Sequence, residues 1–159
     1  MTKQLIFLCI VFSFFVSCKN SEEEENKQKV KRETNIVNLL HEDRSFSKLC
    51  DSVGMKTAFI DYLDSNGTIL KPNQLPIEGA NAIDYLIQQN DNEYKLTWEP
   101  KFADLSEDGT IGYTYGIYAI HPVQIDTIIF GTYINVWKKQ NNKWKLMLHS
   151  GNEGIGEKN

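Results

Sequence analysis

Between Tyr94 and Gly151 apolar and polar residues alternate with period two in runs over 95–105, 111–120, 128–138 and 144–150. Turn signals separate them: Ser106 to Gly109 (SEDG), a loop around His121 and Pro122, and Asn141 with Asn142. Alternation of this length between turns predicts one antiparallel sheet. Pro100 cannot donate to a strand ladder, so a bulge or bend is expected there, with Leu96, Trp98, Pro100 and Phe102 on one face. In the next strand Tyr113, Tyr115 and Ile117 oppose Gly112, Thr114, Gly116 and Tyr118. The small residues make a shallow surface suited to close approach by a helix, a ligand or another subunit. Because a one-residue slip reverses every assignment, alternation does not say which face points inward.

Upstream the period changes to that of a helix. Ile36, Leu39, Leu40, Phe46 and Cys50 fall within one arc of about 120°. This helix gives out near Asp51 to Gly54. A second follows with Met55, Ala58, Phe59 and Tyr62 on one face. Asp64 to Gly67 (DSNG) reads as a turn, Thr68 to Lys71 as a short strand ended by Pro72, and a third helix is expected to bury Ile83, Leu86 and Ile87. Three amphipathic helices against an aromatic-rich sheet predict an α+β domain with a helix-lined cavity.

The N-terminus follows other rules. Lys3 precedes an apolar run from Leu5 to Val16 that reaches about 18 Å as a helix at ~1.5 Å per residue, short of the ~30 Å of a bilayer core. A basic start, a short apolar core and a small residue before Cys18 describe a signal peptide over 1–17. Lys19 to Lys31, with Glu22 to Glu25 in succession, has nothing apolar to bury and is expected to be a solvated acidic tether over 18–34, disordered like the tail at 154–159. The folded domain is expected over 35–153.

Composition narrows the function. The net charge is −4 and the lysines are scattered, which disfavours nucleic acid as a partner. Three histidines and three cysteines show no ligand spacing, so neither a metal nor another cofactor is expected. Cys50 is the lone cysteine beyond the leader and Cys18, which leaves no internal disulfide. Asp43 is the conspicuous residue, a carboxylate inside the apolar arc of the first helix. It reads either as a general base or ligand anchor, or as a cap that holds the helix to the sheet. Tyr62 is a candidate lining residue or plain core.

The segments EDRSF (Glu42 to Phe46), GMKTAFIDY (Gly54 to Tyr62), IEGANAI (Ile77 to Ile83), LTWEPKFADLSEDGTIGYTYGIY (Leu96 to Tyr118) and GTYINVWKKQNNKWKL (Gly131 to Leu146) resemble the DUF4440 and SnoaL-like branch of the NTF2-like superfamily. The resemblance runs from about Leu39 to Gly151. It implies a cone in which a strongly bent antiparallel sheet wraps around three N-terminal helices, and it implies a homodimer. Asp43 matches the Asp of that family's first helix. Relatives often have Asp near the end of the last strand, where this chain has His149, a group able to act as acid or base near neutrality. The ending FVSC (Phe15 to Cys18) resembles a bacterial lipobox, although Phe15 stands where Leu is usual. It implies a lipid on Cys18, attachment to a bilayer, and an outer-membrane lipoprotein that is periplasmic or surface-exposed.

Three functions follow from this reading. The first is a tethered domain that binds a small, partly apolar molecule, with Tyr62, Trp98, Tyr113 and Trp137 as pocket walls and Asp43 and His149 as polar contacts. The second is an isomerase-, cyclase- or hydrolase-like enzyme with Asp43 or His149 as base and Tyr62 or Tyr113 stabilising an oxyanion. The third is a structural or partner-binding dimer with a vestigial pocket.

Overall fold

The computed structural model describes residues 2–154, with side chains from Glu22 onward. The side chains of the leader and of Cys18, and the tail at 155–159, lie outside the described residues. The chain divides into two units at Thr34/Asn35. Helix α1 (Thr2–Val53) is followed by α2 (Met55–Tyr62), β1 (Leu63–Leu70), β2 (Ile77–Glu78), α3 (Ala80–Ile87), β3 (Tyr94–Leu105), β4 (Ile111–Pro122), β5 (Ile129–Gln140) and β6 (Lys143–Glu153). Among the described residues no helix is long and apolar enough to cross a membrane.

Residues 22–34, expected to be disordered, are helical with every side chain exposed. Glu, Lys, Gln and Arg are strong helix formers, the stretch has no Gly or Pro, and Lys27 pairs with Glu23 one turn away at 3.1 Å. The segment is solvated as anticipated, but it is not coil.

The second unit, from Asn35, is an α+β cone in which a curved six-stranded sheet, ordered β2-β1-β6-β5-β4-β3, is covered by helices. Four long strands form the antiparallel meander that the alternation implied. The exception is β1, which lies parallel to β6 and pairs antiparallel with β2, making the sheet mixed. The ladder between β1 and β6 shifts between Leu63 and Thr68, so the DSNG segment is an irregularity within β1 rather than a free turn. The loop between β5 and β6 holds Asn141 at φ 49° and Asn142 at φ 62°, the left-handed pair of a tight hairpin.

Gly54, at φ 90°, breaks α1 from α2, a conformation that most side chains would strain. The helices then meet the sheet around Phe46, which is fully buried. Its ring stacks on Tyr62 at 4.4 Å and meets the edges of Trp98 at 4.7 Å and Trp137 at 5.9 Å. Gly112 and Gly116 face inward with Thr114 and Tyr118. A Cβ on Gly112 would stand 2.6 Å from Leu39 Cδ2, so the small residue lets α1 settle on β4.

Three expectations about facing need correction. The ladder between β3 and β4 shifts between Pro100 and Phe102, as the proline suggested, and the slip turns Phe102 to the outer face while Ala103 and Leu105 point in. Ile87 lies on the exposed side of α3, whose buried residues are Ala82 and Leu86. Tyr113, expected in the pocket, shares the outer face with Tyr115 and Phe102.

Candidate functional site

Helical spacing carries Leu39, Asp43, Phe46, Ser47 and Cys50 to one face of α1, and all five are buried. Ser47 Oγ accepts the backbone N–H of Trp98 at 2.8 Å, which satisfies the free edge of β3 with a helix side chain. Outside this seam Arg44 donates to Glu99 at 2.9 Å, an exposed pair worth about 0–1 kcal/mol.

Asp43 has no solvent exposure. Its Oδ1 accepts the indole N–H of Trp98 at 2.8 Å and the amide N–H of Asn135 at 3.2 Å, and its Oδ2 accepts the Tyr133 hydroxyl at 2.7 Å. Burial pushes its pKa above the usual carboxylate value, while hydrogen bonds led by those from Tyr133 and Trp98 pull it back. Burial, then the neighbouring carboxylate, pushes the Tyr133 phenol upward in turn.

The strands complete the chain of contacts. Inward positions on β5 are Tyr133, Asn135 and Trp137, and Asn135 stands opposite His149 on β6. Asn135 Oδ1 lies 2.7 Å from His149 Nδ1. The imidazole also meets the Phe59 ring edge-on at 4.9 Å. Burial, aided by the charge of Lys71, lowers its pKa to about 4, so the ring is neutral at pH 7.

His149 opens onto a cavity of ≈ 180 Å³. Phe59 and Met55 of α2, Leu86 of α3, Leu96 and Trp98 of β3, and Ile69 of β1 supply its apolar wall. Lys71, Tyr118 and Glu153 are among its polar lining, and Tyr133 and Asn135 present their flanks to it. The cavity lies between α2, α3 and the concave sheet.

Of the residues singled out from sequence, Trp98 and His149 line this cavity, and Asp43 stands behind it, joined to it through Trp98, Tyr133 and Asn135. Trp137 is fully buried in the core, its indole N–H donating to Thr114 at 2.9 Å, and it does not reach the cavity. Tyr62 packs its ring on Phe46 and is hydrogen-bonded to Glu42, away from the cavity lining. Tyr113 is on the opposite face of the sheet. Reading the sequence missed Tyr133, which donates to Asp43, and Asn135, the link between Asp43 and His149. Their parity with Trp137 in YINVW was the available signal.

No family model and no curated protein matches the sequence. Solved structures do share its shape. An NTF2-like protein with a cystatin-like fold from Novosphingobium aromaticivorans superposes with a TM-score of 0.60 at 9% identity, covering 82% of this chain and 87% of that one. A ketosteroid isomerase-like protein from Erwinia carotovora atroseptica gives 0.58 at 8% identity, covering 74% and 95%. The association domain of C. elegans CaMKII gives 0.53 at 16% identity, covering 82% and 97%. At these identities the likeness establishes an NTF2-like, cystatin-type fold and nothing about chemistry.

Proposed function

We propose that this protein binds a small, partly apolar molecule in the cavity between its helices and the concave sheet. The observation that carries the reading is a formed space of ≈ 180 Å³ with an aromatic and aliphatic wall and one half-buried imidazole. An apolar cavity of about 150 Å³ is known to take up benzene, so this one suits a single- or double-ring molecule or an aliphatic of similar bulk. Within the superfamily, the DUF4440 and SnoaL-like branch is the affinity that the sequence segments suggest. Cys18 supplies lipid attachment, which holds the domain at the outer membrane.

The hydrogen bonding takes Asp43 out of isomerase- or hydrolase-type catalysis, and its lowered pKa makes His149 a weak base. A base must reach the proton that it removes, and Asp43 is enclosed by three donors behind the cavity wall. The Trp98 indole N–H and the Tyr133 hydroxyl end on Asp43 and so are not free to stabilise an oxyanion.

Native mass spectrometry of the full chain, purified in detergent, tests the reading: it is expected to retain a bound small molecule or to take one up from a hydrophobic compound mixture. Repeated recovery of empty protein indifferent to all additions would refute it. Cys18→Ala is expected to move the protein from the membrane to the soluble fraction, and unchanged fractionation would refute the anchor.

A second reading is favoured by the outer face of the sheet, where Phe102, Tyr113, Tyr115 and Ile134 are each 37–45% exposed and sit on neighbouring strands. A contiguous exposed apolar face on three strands suits a second copy packed sheet to sheet. Sedimentation of the native chain beside Tyr115→Lys is expected to show a dimer and a monomer respectively. Identical masses would exclude this face as the interface.

A further inference from the structure

We propose that the cavity selects neutral ligands that present a hydrogen-bond donor, a hydroxyl or an aromatic N–H, to Nε2 of His149. This rests on the cavity being a ligand site and assigns the polarity of its recognition.

The polarity of the site is set from Asp43 outward. Trp98 Nε1 only donates, so Asp43 Oδ1, which receives it, is an acceptor. Asn135 therefore turns its NH₂ toward Asp43 Oδ1, 3.2 Å away. Reversing the amide would place oxygen against oxygen. With the NH₂ committed, Asn135 Oδ1 faces His149 Nδ1 at 2.7 Å. An amide oxygen only accepts, so Nδ1 carries the proton. A neutral imidazole has one ring proton, which leaves a lone pair on Nε2.

That lone pair is on the open side of the ring. His149 lines the cavity, and because no buried side-chain nitrogen is left without a partner while Nε2 has none, Nε2 is exposed to that space. A second proton on the ring is opposed by burial and by the charge of Lys71, which keep the imidazole neutral far below pH 7. Lys71 and Glu153 line the same cavity with opposite charges, so the lining carries no net preference for an anion or a cation. Beside the donors that also line the cavity, Lys71, Gln89 and the tyrosine hydroxyls, His149 supplies an acceptor held in one tautomer against the apolar wall. At His149 Nε2 a ligand that offers only a carbonyl or ether oxygen would set lone pair against lone pair.

Indole and benzofuran share one bicyclic outline and differ in an N–H against an ether oxygen, which makes them a direct test with the full chain by titration calorimetry. Indole is expected to bind at least about tenfold more tightly, and His149→Phe to remove most of that difference. Nitrogen-15 NMR of histidine-labelled wild-type protein is expected to show His149 as the Nδ1–H tautomer, with the Nε2 resonance moving when indole is added; this reading does not depend on a variant that folds. Equal affinities, a preference for benzofuran, or an Nε2–H tautomer would overturn the inference while leaving the cavity as a binding site. Binding of neither compound would overturn the inference, and with no other ligand found it would take the binding reading with it.

Discussion

Acidification is expected to destabilise the domain through His149. In the unfolded chain this imidazole titrates near its ordinary value of 6.5, and in the fold near about 4. Between those values the unfolded state binds more protons than the folded one, so stability is complete above pH 6.5 and falls as pH drops toward 4. At ~1.36 kcal/mol per unit, the depression corresponds to about 3 kcal/mol. Every facing group bears on the sign. Lys71 opposes charging of the ring, Glu153, also on β6, lines the same cavity with the opposite charge, and Asp43 acts through Asn135. Asp43 titrates in the opposite sense: its raised pKa makes the fold hold a proton more readily than the unfolded chain, so stability grows as pH falls through that raised value toward 3.8. That gain offsets part of the loss. Urea unfolding at pH 7.5, 6.5, 5.5 and 4.5 measures the outcome. A loss of 2–3 kcal/mol moves the midpoint by roughly 1–3 M at slopes of ~1–3 kcal/mol/M. His149→Asn, whose amide can still donate to Asn135, is expected to flatten the dependence between pH 6.5 and 4.5. Parallel curves for wild type and variant, or stability that rises on acidification across this range, would refute the reasoning.

Other substitutions probe the remaining parts of the argument. Asp43→Ala strands the Trp98, Tyr133 and Asn135 donors and is expected to cost about 3–5 kcal/mol; Asp43→Asn keeps one acceptor and costs about 1–2 kcal/mol, both read by denaturant unfolding. Gly116→Ala drives a Cβ into the Glu99 carbonyl oxygen and the Pro100 backbone, and a loss of about 1–3 kcal/mol in the same assay is expected; a neutral effect would mean that the β3 bend yields easily. Trp137→Phe keeps most of the ring volume but removes the indole N–H that Thr114 Oγ1 accepts, and about 1–3 kcal/mol is expected, with ligand binding unchanged because Trp137 does not line the cavity.

The elements were legible where one period dominates. Asp43 stood out because it interrupts an apolar arc, and the structure answers that anomaly with three donors. The faces of the sheet were harder, because both are apolar. Tyr113, Tyr115 and Phe102 look like core on composition, yet the glycine and threonine side of β4 points in, since only small residues let Leu39 of α1 come close. Pro100 announced a bend without announcing that Phe102 would change sides after it. The parallel pairing of β1 with β6 joins residues such as Ile69 and His149, a non-local match on which neither local pattern bears. Residues 22–34 were read through their charge, which predicts solvation, when their helix propensity decides conformation. Asn135 was harder for another reason: parity with Trp137 turns it inward, but its importance comes from where its two neighbours sit.

A buried carboxylate is a costly way to fasten a helix to a sheet, and well-packed apolar residues of similar volume often do as well or better. The stability gained is therefore a weak explanation for Asp43. Its distinctive effect is directional. A hydroxyl or an apolar side chain in its place could not force Asn135 to turn its NH₂ inward, and an unforced amide would leave His149 free to carry its proton on either nitrogen. The carboxylate converts a symmetric choice into one tautomer, across α1, β5 and β6, without touching the cavity itself. On this argument the residue with the strongest claim to shape recognition lies behind the wall, and the wall residue that meets the ligand takes its polarity from it.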